Sequence, residues 1–284
     1  NQLSENGIQL DKKSPSKSNL ILPSDVGEKV LFYNPSELNQ ISAVRSIMDE
    51  SNYISMVDRL QSKNLPVSLN ILLHGAPGTG KTESVLQLAR ESGREIMKVE
   101  ISQTKSMWFG ESEKIIKKVF TDYAVYSEGA EKTPILFFNE ADAILGRRNE
   151  LSGAGNARQT ENTIQNILLE ELENFKGIFI STTNLASNLD TAFERRFLFK
   201  VEFQQPSIEI RTLIWKDKLP FITEIDASRL AGQFELSGGQ IENIVRKCEI
   251  DYVINGENIK IEKLEQFCYD ENLSKPIKYS KIGF

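Results

Sequence analysis

Gly75-Ala76-Pro77-Gly78-Thr79-Gly80-Lys81-Thr82 follows the apolar run Ile71-Leu72-Leu73 and leads into Ser84-Val85-Leu86-Gln87-Leu88-Ala89, so the stretch reads as strand, loop and helix. Glycines at 75, 78 and 80 permit positive φ and let bare backbone N–H groups approach an anion, while the helix behind them adds the positive end of its dipole. Lys81 places a fixed positive charge where β- and γ-phosphates would lie, and the Thr82 hydroxyl suits an Mg²⁺ ion bridging those oxygens. All eight positions, Pro77 and Thr79 included, fit the P-loop pattern. A plain glycine-rich turn with a solvated lysine would need neither the strand before it nor the helix after it. Nucleotide binding at this loop is the primary expectation.

The same alternation continues outward. Ile41, Val44, Ile47, Met48, Ile54, Met56, Val57 and Leu60 recur at helical spacing and predict one or two amphipathic helices, interrupted around Ser51-Asn52. Beyond the loop, Glu95 to Ile101 reads as strand, Glu111 to Tyr126 as helix and Ile135-Leu136-Phe137-Phe138 as buried strand. Thr160 to Asn174 then reads as helix, and Gly177 to Ser181 and Phe199 to Phe203 as two more strands. This order predicts an α/β fold of the P-loop NTPase kind, a parallel sheet sandwiched by helices. After Pro206 the pattern turns mainly helical, over Ser207 to Leu219, Ala227 to Gln233 and Ser237 to Ile254. A short strand Ile259-Ile261 and a helix near Leu264 to Tyr269 are expected to finish a small lid. The expected division is a flexible Ser/Asn/Lys-rich linker over 1–20, a nucleotide-binding α/β domain over 21–205 and a helical lid domain over 206–284.

With 284 residues, 39% hydrophobic and 26% charged, the chain can bury one large core and a satellite, which excludes disorder throughout. No apolar run is long enough to cross a bilayer and no signal pattern opens the chain, so a cytoplasmic segment with no membrane partner is expected. The polar opening Asn1-Gln2-Leu3, without an initiator Met, reads as part of a longer polypeptide. A net charge of −6 argues against general binding along a phosphate backbone, so nothing marks nucleic acid as a partner. Cys248 and Cys268 form no CxxC pair and read as packing residues, and with His74 the single histidine a structural zinc site is not expected.

At the end of the Ile135 strand stands Asn139-Glu140-Ala141-Asp142, which puts a carboxylate beside the loop at the carboxyl edge of the sheet, where such folds bind ligands. Glu140 is the candidate general base, able to orient a water for attack on a γ-phosphorus. Asp142 reads as structural.

On these motifs the chain resembles the AAA+ ATPases, within them the ring-shaped protein-unfolding clade, and there a bacterial-type branch whose second ATP motif reads Phe138-Asn139-Glu140-Ala141-Asp142. The resemblance implies ATP or ADP with Mg²⁺ as cofactors, held by the loop residues and Asn139, with Thr82 and Asn139 on the metal side. Family members usually carry Asp where this chain has Asn139. An amide keeps a carbonyl oxygen for metal-bound water but removes a negative charge, which predicts weaker Mg²⁺ binding or slower turnover. Thr182-Thr183-Asn184 resembles the family's first sensor, so Asn184 would touch the γ-phosphate or the attacking water. Asp190 to Phe197 resembles the arginine-finger segment and singles out Arg195 and Arg196 as catalytic groups reaching a neighbouring subunit's nucleotide, with an intramolecular salt bridge as the competing role. Ser237-Gly238-Gly239-Gln240-Ile241 resembles the lid segment whose glycines, Gly238 and Gly239, approach adenine. Arg246 lies one or two turns further on, and Asp25-Val26-Gly27 would close the other side of the adenine pocket. Met107-Trp108-Phe109-Gly110-Glu111 resembles the pore loop of ring unfoldases, in which Trp108, Phe109 and Gly110 grip a threaded polypeptide; packing in the core is the alternative for the two aromatic residues. Gly146-Arg147-Arg148 through Arg158 resembles a second loop facing the same channel.

These readings lead to Mg²⁺-dependent ATP hydrolysis that remodels or unfolds protein clients in a self-assembled ring, a hexamer by resemblance. A nucleotide-gated switch or adaptor, slowed by Asn139, is the alternative from another class. A DNA-associated AAA+ ATPase fits Trp108-Phe109-Gly110 and the acidic charge poorly. Zinc protease activity lacks its HExxH motif in this sequence.

Overall fold

The computed structural model describes residues 20–100, 112–146, 156–184 and 189–271. The strand that delivers the glycine-rich loop, β2 (Leu69–Gly75, after the edge strand β1, Leu20–Ile21), lies inside a six-stranded sheet. The other strands are β3 (Ile96–Glu100), β4 (Ile135–Asn139), β5 (Ile178–Thr183) and β6 (Phe199–Phe203), and the spatial order is β1-β3-β4-β5-β2-β6. β2 to β6 run parallel, and β1 pairs antiparallel with β3 through Leu20 opposite Met97. Leu20 is the first described residue and opens β1; residues 1–19, the rest of the stretch expected to be linker, lie outside the described residues.

Parallel strands covered on both faces carry apolar side chains at successive positions, because alternate residues enter different cores. In β4, Leu136 and Phe138 join one core while Ile135 and Phe137 join the other. Helices α1 (Pro35–Met48), α2 (Glu50–Ser62) and α3 (Lys81–Ser92) cover the second face with Ile41, Val44, Met48, Tyr53, Val85 and Leu88. On the first face lie α4 (Ser112–Gly129), the short α5 (Asp142–Leu145) and α6 (Asn156–Asn174), contributing Ile116, Phe120, Ile144, Ile164 and Leu168. The break between α1 and α2 falls at Asp49 rather than at Ser51-Asn52, because the Asp49 carboxylate accepts the N–H groups of Ser51 and Asn52 and caps α2.

Gly75 ends β2 at φ +137, and a Cβ there would stand 2.0 Å from the Phe203 carbonyl oxygen of β6. A side chain would separate the two strands just where the loop departs. Arg94 is a buried cation that the sequence pattern does not announce. Its guanidinium donates to the Met48 and Thr133 carbonyls at 3.1 and 2.8 Å, pairs with Glu50 at 2.8 Å and lies over the Tyr53 ring, tying α1 and α2 to the sheet.

After a single turn α7 (Thr191–Glu194) and β6, the helices α8 (Ile208–Lys218), α9 (Glu224–Gln233), α10 (Gly238–Asn255) and α11 (Ile261–Glu271) pack round a third core that includes Trp215, Leu230, Ile244 and Leu264. The strand expected at Ile259-Ile261 is not formed. Ile259 is a buried plug in this helical core and Ile261 opens α11, with no strand pairing there among the described residues. Both cysteines are buried as free thiols, and the Cys268 thiol is pushed up to about 12, chiefly by burial.

Candidate nucleotide site

The loop between β2 and α3 is braced from within. Thr79 Oγ1 donates to the Ala76 carbonyl at 2.8 Å, and Ser84 donates to the Gly80 carbonyl from both its N–H and its hydroxyl. Lys81 is buried, with its ammonium donating to the Gly75 and Ala76 carbonyls at 2.9 and 2.7 Å. Burial holds this ammonium below the ordinary lysine value, against the opposing pull of Asp142 and Glu140.

Beside the loop, the ends of β4 and β5 bring the other candidate residues together. Asn139 Oδ1 accepts from the hydroxyls of Thr82 and Thr182 at 2.9 and 3.2 Å, joining the first turn of α3 to both strands. Glu140 sits at φ +52, an uncommon conformation for a residue with a side chain. The turn is held by two bonds to one residue: Glu140 N–H to Thr182 Oγ1 at 3.0 Å and Ala141 N–H to the Thr182 carbonyl at 2.8 Å. Asp142 has the structural part expected of it. Its carboxylate accepts from the Thr183 hydroxyl and from the Asn184 N–H at 2.8 Å, which fixes Asn184 at the end of β5.

A cavity of about 200 Å³ opens between these parts, lined by Pro77, Gly78, Gly80, Lys81, Thr82, Glu83, Glu140, Thr182, Thr183 and Asn184. The phosphate loop, the candidate base and the candidate sensor therefore face one space. A second cavity of about 260 Å³ adjoins it across Gly78 and Gly80 and is lined by Lys29 to Phe32, Thr79, Glu83, Ile214, Lys218, Gly238, Gly239 and Glu242. Gly238 and Gly239, at the start of α10, are part of this lining. Lys29 to Phe32 line this cavity and Asp25, Val26 and Gly27 do not; the Gly27 carbonyl accepts from Gln87 of α3 at 2.8 Å. Ile214 and Lys218, one helical turn apart on α8, were not singled out in the sequence; their spacing was legible, but what they face was not. The start of α10 also touches the loop directly: the Gly239 N–H donates to the Gly78 carbonyl at 2.8 Å, and a Cβ on Gly78 would stand 2.7 Å from Ser237 Oγ.

Residues 71–205, which span β2 to β6 and contain this edge, match the family model described as ATPase family associated with various cellular activities (AAA). The chain carries an AAA ATPase domain. Curated relatives include Cell division protein C of Sulfolobus acidocaldarius, 30% identical over 223 residues that cover 75% of this chain and 59% of the relative. The ATP-dependent zinc metalloprotease FtsH 1 of Phytoplasma mali is 28% identical over 281 residues, covering 95% of this chain and 45% of the relative. The chain thus spans less than two thirds of these relatives' length. Among solved structures, the FIGL-1 AAA domain in complex with ADP shares the fold with a TM-score of 0.64 at 17% identity, over 92% of this chain and 89% of that one.

In this AAA domain the two candidate finger residues have different surroundings. Arg196 Nη2 pairs with Glu173 Oε2 at 2.8 Å and its backbone carbonyl accepts from Asn70. Arg195 is exposed, and its side chain has no ion pair among the described residues. Arg246 is exposed on α10 and lines neither cavity. Trp108, Phe109 and Gly110 lie outside the described residues, as do residues 147–155 of the second loop; Gly146 forms an isolated bridge with Leu189. Among the described residues no group of three or more His, Cys, Asp or Glu could hold a metal ion. The Thr82 hydroxyl and the Asn139 amide oxygen are hard oxygen donors of the kind that suits Mg²⁺, which takes few protein ligands and leaves the rest to water and phosphate. No helix among the described residues is long and apolar enough to cross a membrane.

Proposed function

We propose that this AAA domain binds Mg²⁺-ATP in the two adjoining cavities and hydrolyses it, with residues 21–205 as the nucleotide-binding body and 206–284 as its lid. The observation that carries this is the convergence of Lys81, Thr82, Glu140 and Asn184 on one cavity at the carboxyl edge of the sheet, with Asn139 bonded to the Thr82 hydroxyl behind it. Mg²⁺, when held beside Thr82 and Asn139, would neutralise charge on the phosphates. Glu140 would take the proton of the attacking water, Asn184 would hold that water or the γ-phosphate, and Lys81 would hold the β- and γ-phosphates, with ADP leaving. Arg195 is the better placed of the two arginines to act on a neighbouring subunit, since Arg196 is already engaged by Glu173. The relatives' names include an ATP-dependent protease and a cell-division protein, which supports ATP-driven work on protein clients. In this reading the subunits form a cytoplasmic ring that grips the client through Trp108, Phe109 and Gly110.

A slow nucleotide switch is the second reading, favoured by Asn139, which leaves the metal side of the site one negative charge short. Phosphate release and nucleotide binding by the parent, Lys81→Ala and Glu140→Gln test both readings. Lys81→Ala should lose binding. Glu140→Gln should keep ATP while turnover falls about 10²–10⁴-fold, the usual worth of a general base. Parental turnover in Glu140→Gln would show that the base is elsewhere, and a parent that binds ATP without releasing phosphate would favour the switch.

A further inference from the structure

The helical lobe is joined to the sheet at its hinge, where Asn34 donates to the Gln205 carbonyl at 3.2 Å and accepts the Ser207 N–H at 2.9 Å. It is joined again over the phosphate loop, where the Gly78 carbonyl accepts the Gly239 N–H. A further connection lies in the lining of the cavity of about 260 Å³. Lys29 Nζ stands 3.1 Å from Glu83 Oε2 on α3 and 3.5 Å from Glu242 Oε1 on α10, and all three residues line that cavity.

The root of this lysine belongs to the body of the domain. Gln87 of α3 donates to the Gly27 carbonyl and accepts the Lys29 N–H at 3.3 Å, and Arg90 holds Glu28 at 3.0 Å. From this anchored segment the Lys29 ammonium reaches across to the lid, and its pairing, mainly with Glu83, holds it above the ordinary lysine value. Glu83 lines both cavities, so without the lysine its carboxylate would face Glu242 across the opening and add negative charge beside a polyphosphate.

We propose that Lys29, by bridging Glu83 and Glu242, is a latch that holds α10 over the bound nucleotide and sets how fast it leaves. The latch rests on the ATP-binding reading of the cleft. Lys29 is a positioning residue, acting through the lid. Its partners are partly exposed, so the effect is moderate and screened by salt.

Stopped-flow release of a fluorescent ADP analogue from the full chain tests this. Lys29→Met should release the analogue about five-fold faster than the parent at low salt, the scale of one exposed ion-pair network. Lys29→Arg should release it at the parental rate. In Lys29→Met/Glu242→Gln release should be no faster than in the faster of the two single variants, because both remove the same link. High salt should bring the parent toward the Lys29→Met rate, a convergence that a purely structural lysine would not produce. Parental release in Lys29→Met, or multiplying effects in the double variant, would overturn the latch and leave the ATP reading standing. A parent that binds no ADP analogue would overturn both.

Discussion

Alanine at Gly78 tests whether the phosphate loop and the lid are in direct contact. Gly78 lies at φ +74, where alanine costs about 1–2 kcal/mol of backbone strain. Its Cβ would also stand 2.7 Å from Ser237 Oγ. That hydroxyl accepts the Gln240 N–H and caps α10, so relieving the overlap means either losing a cap worth about 1 kcal/mol or tilting the lid. Gly80 is the internal control: at φ +96, with nothing within 4 Å of its would-be Cβ, alanine there bears the strain alone. Gly78→Ala should therefore be more destabilising than Gly80→Ala by about 1 kcal/mol, or about 2–4 °C in Tm for a chain of this size. Ser237→Gly by itself should cost only a few tenths of a kcal/mol. In the Gly78→Ala background it should recover the difference, and in the Gly80→Ala background it should recover nothing. Calorimetric melting of the nucleotide-free chain reads all five variants. Equal Tm for the two alanine variants, or no recovery with Ser237→Gly, would refute the contact.

Asn139→Asp keeps the oxygen that accepts from the Thr82 and Thr182 hydroxyls and adds a charge on the metal side, so the Mg²⁺ concentration for half-maximal ATPase should drop by about tenfold; an unchanged Mg²⁺ dependence counts against the role given to that position. Arg195→Ala should lower turnover about 10³-fold or more at parental Tm, and mixing it with Lys81→Ala subunits should restore activity at interfaces that keep both intact parts; a mixture as inactive as its components would contradict action across subunits. His74 is half-buried on β2 with Nδ1 unpaired among the described residues, and burial holds its imidazole below the ordinary value of 6.5. The unfolded chain therefore takes the proton first, and stability falls as pH drops below about 6.5. Urea unfolding at pH 7 and pH 5 should show a smaller loss in His74→Gln than in the parent, and equal losses would show that His74 does not contribute.

Where a local signal sufficed, the sequence was readable. The glycine spacing of residues 75 to 82 specifies a turn that needs positive φ, and runs such as Ile135 to Phe138 specify strands buried on both faces, so the P-loop followed from its local motif and the α/β class from periodicity. Asn139 and Glu140 could be placed at the carboxyl edge because a strand's direction follows from its neighbours in a parallel sheet. What tertiary structure decided is what no local period encodes. Arg195 and Arg196 are adjacent and chemically identical, yet only the packing of α6 puts Glu173 within reach of the second. Arg94, surrounded by carbonyls from segments 39 and 46 residues away, looks like any surface cation in the text of the chain. Ile259-Ile261 has the alternation of a strand, but a strand needs a partner edge, and the helical core offered Ile259 a pocket instead. The cavity of about 260 Å³ is assembled from Lys29 to Phe32, the P-loop, α8 and α10, separated by up to about 210 residues. Their meeting depends on how the helical lobe sits against the sheet, which is a property of the folded contacts at Asn34, Gly78 and Lys29.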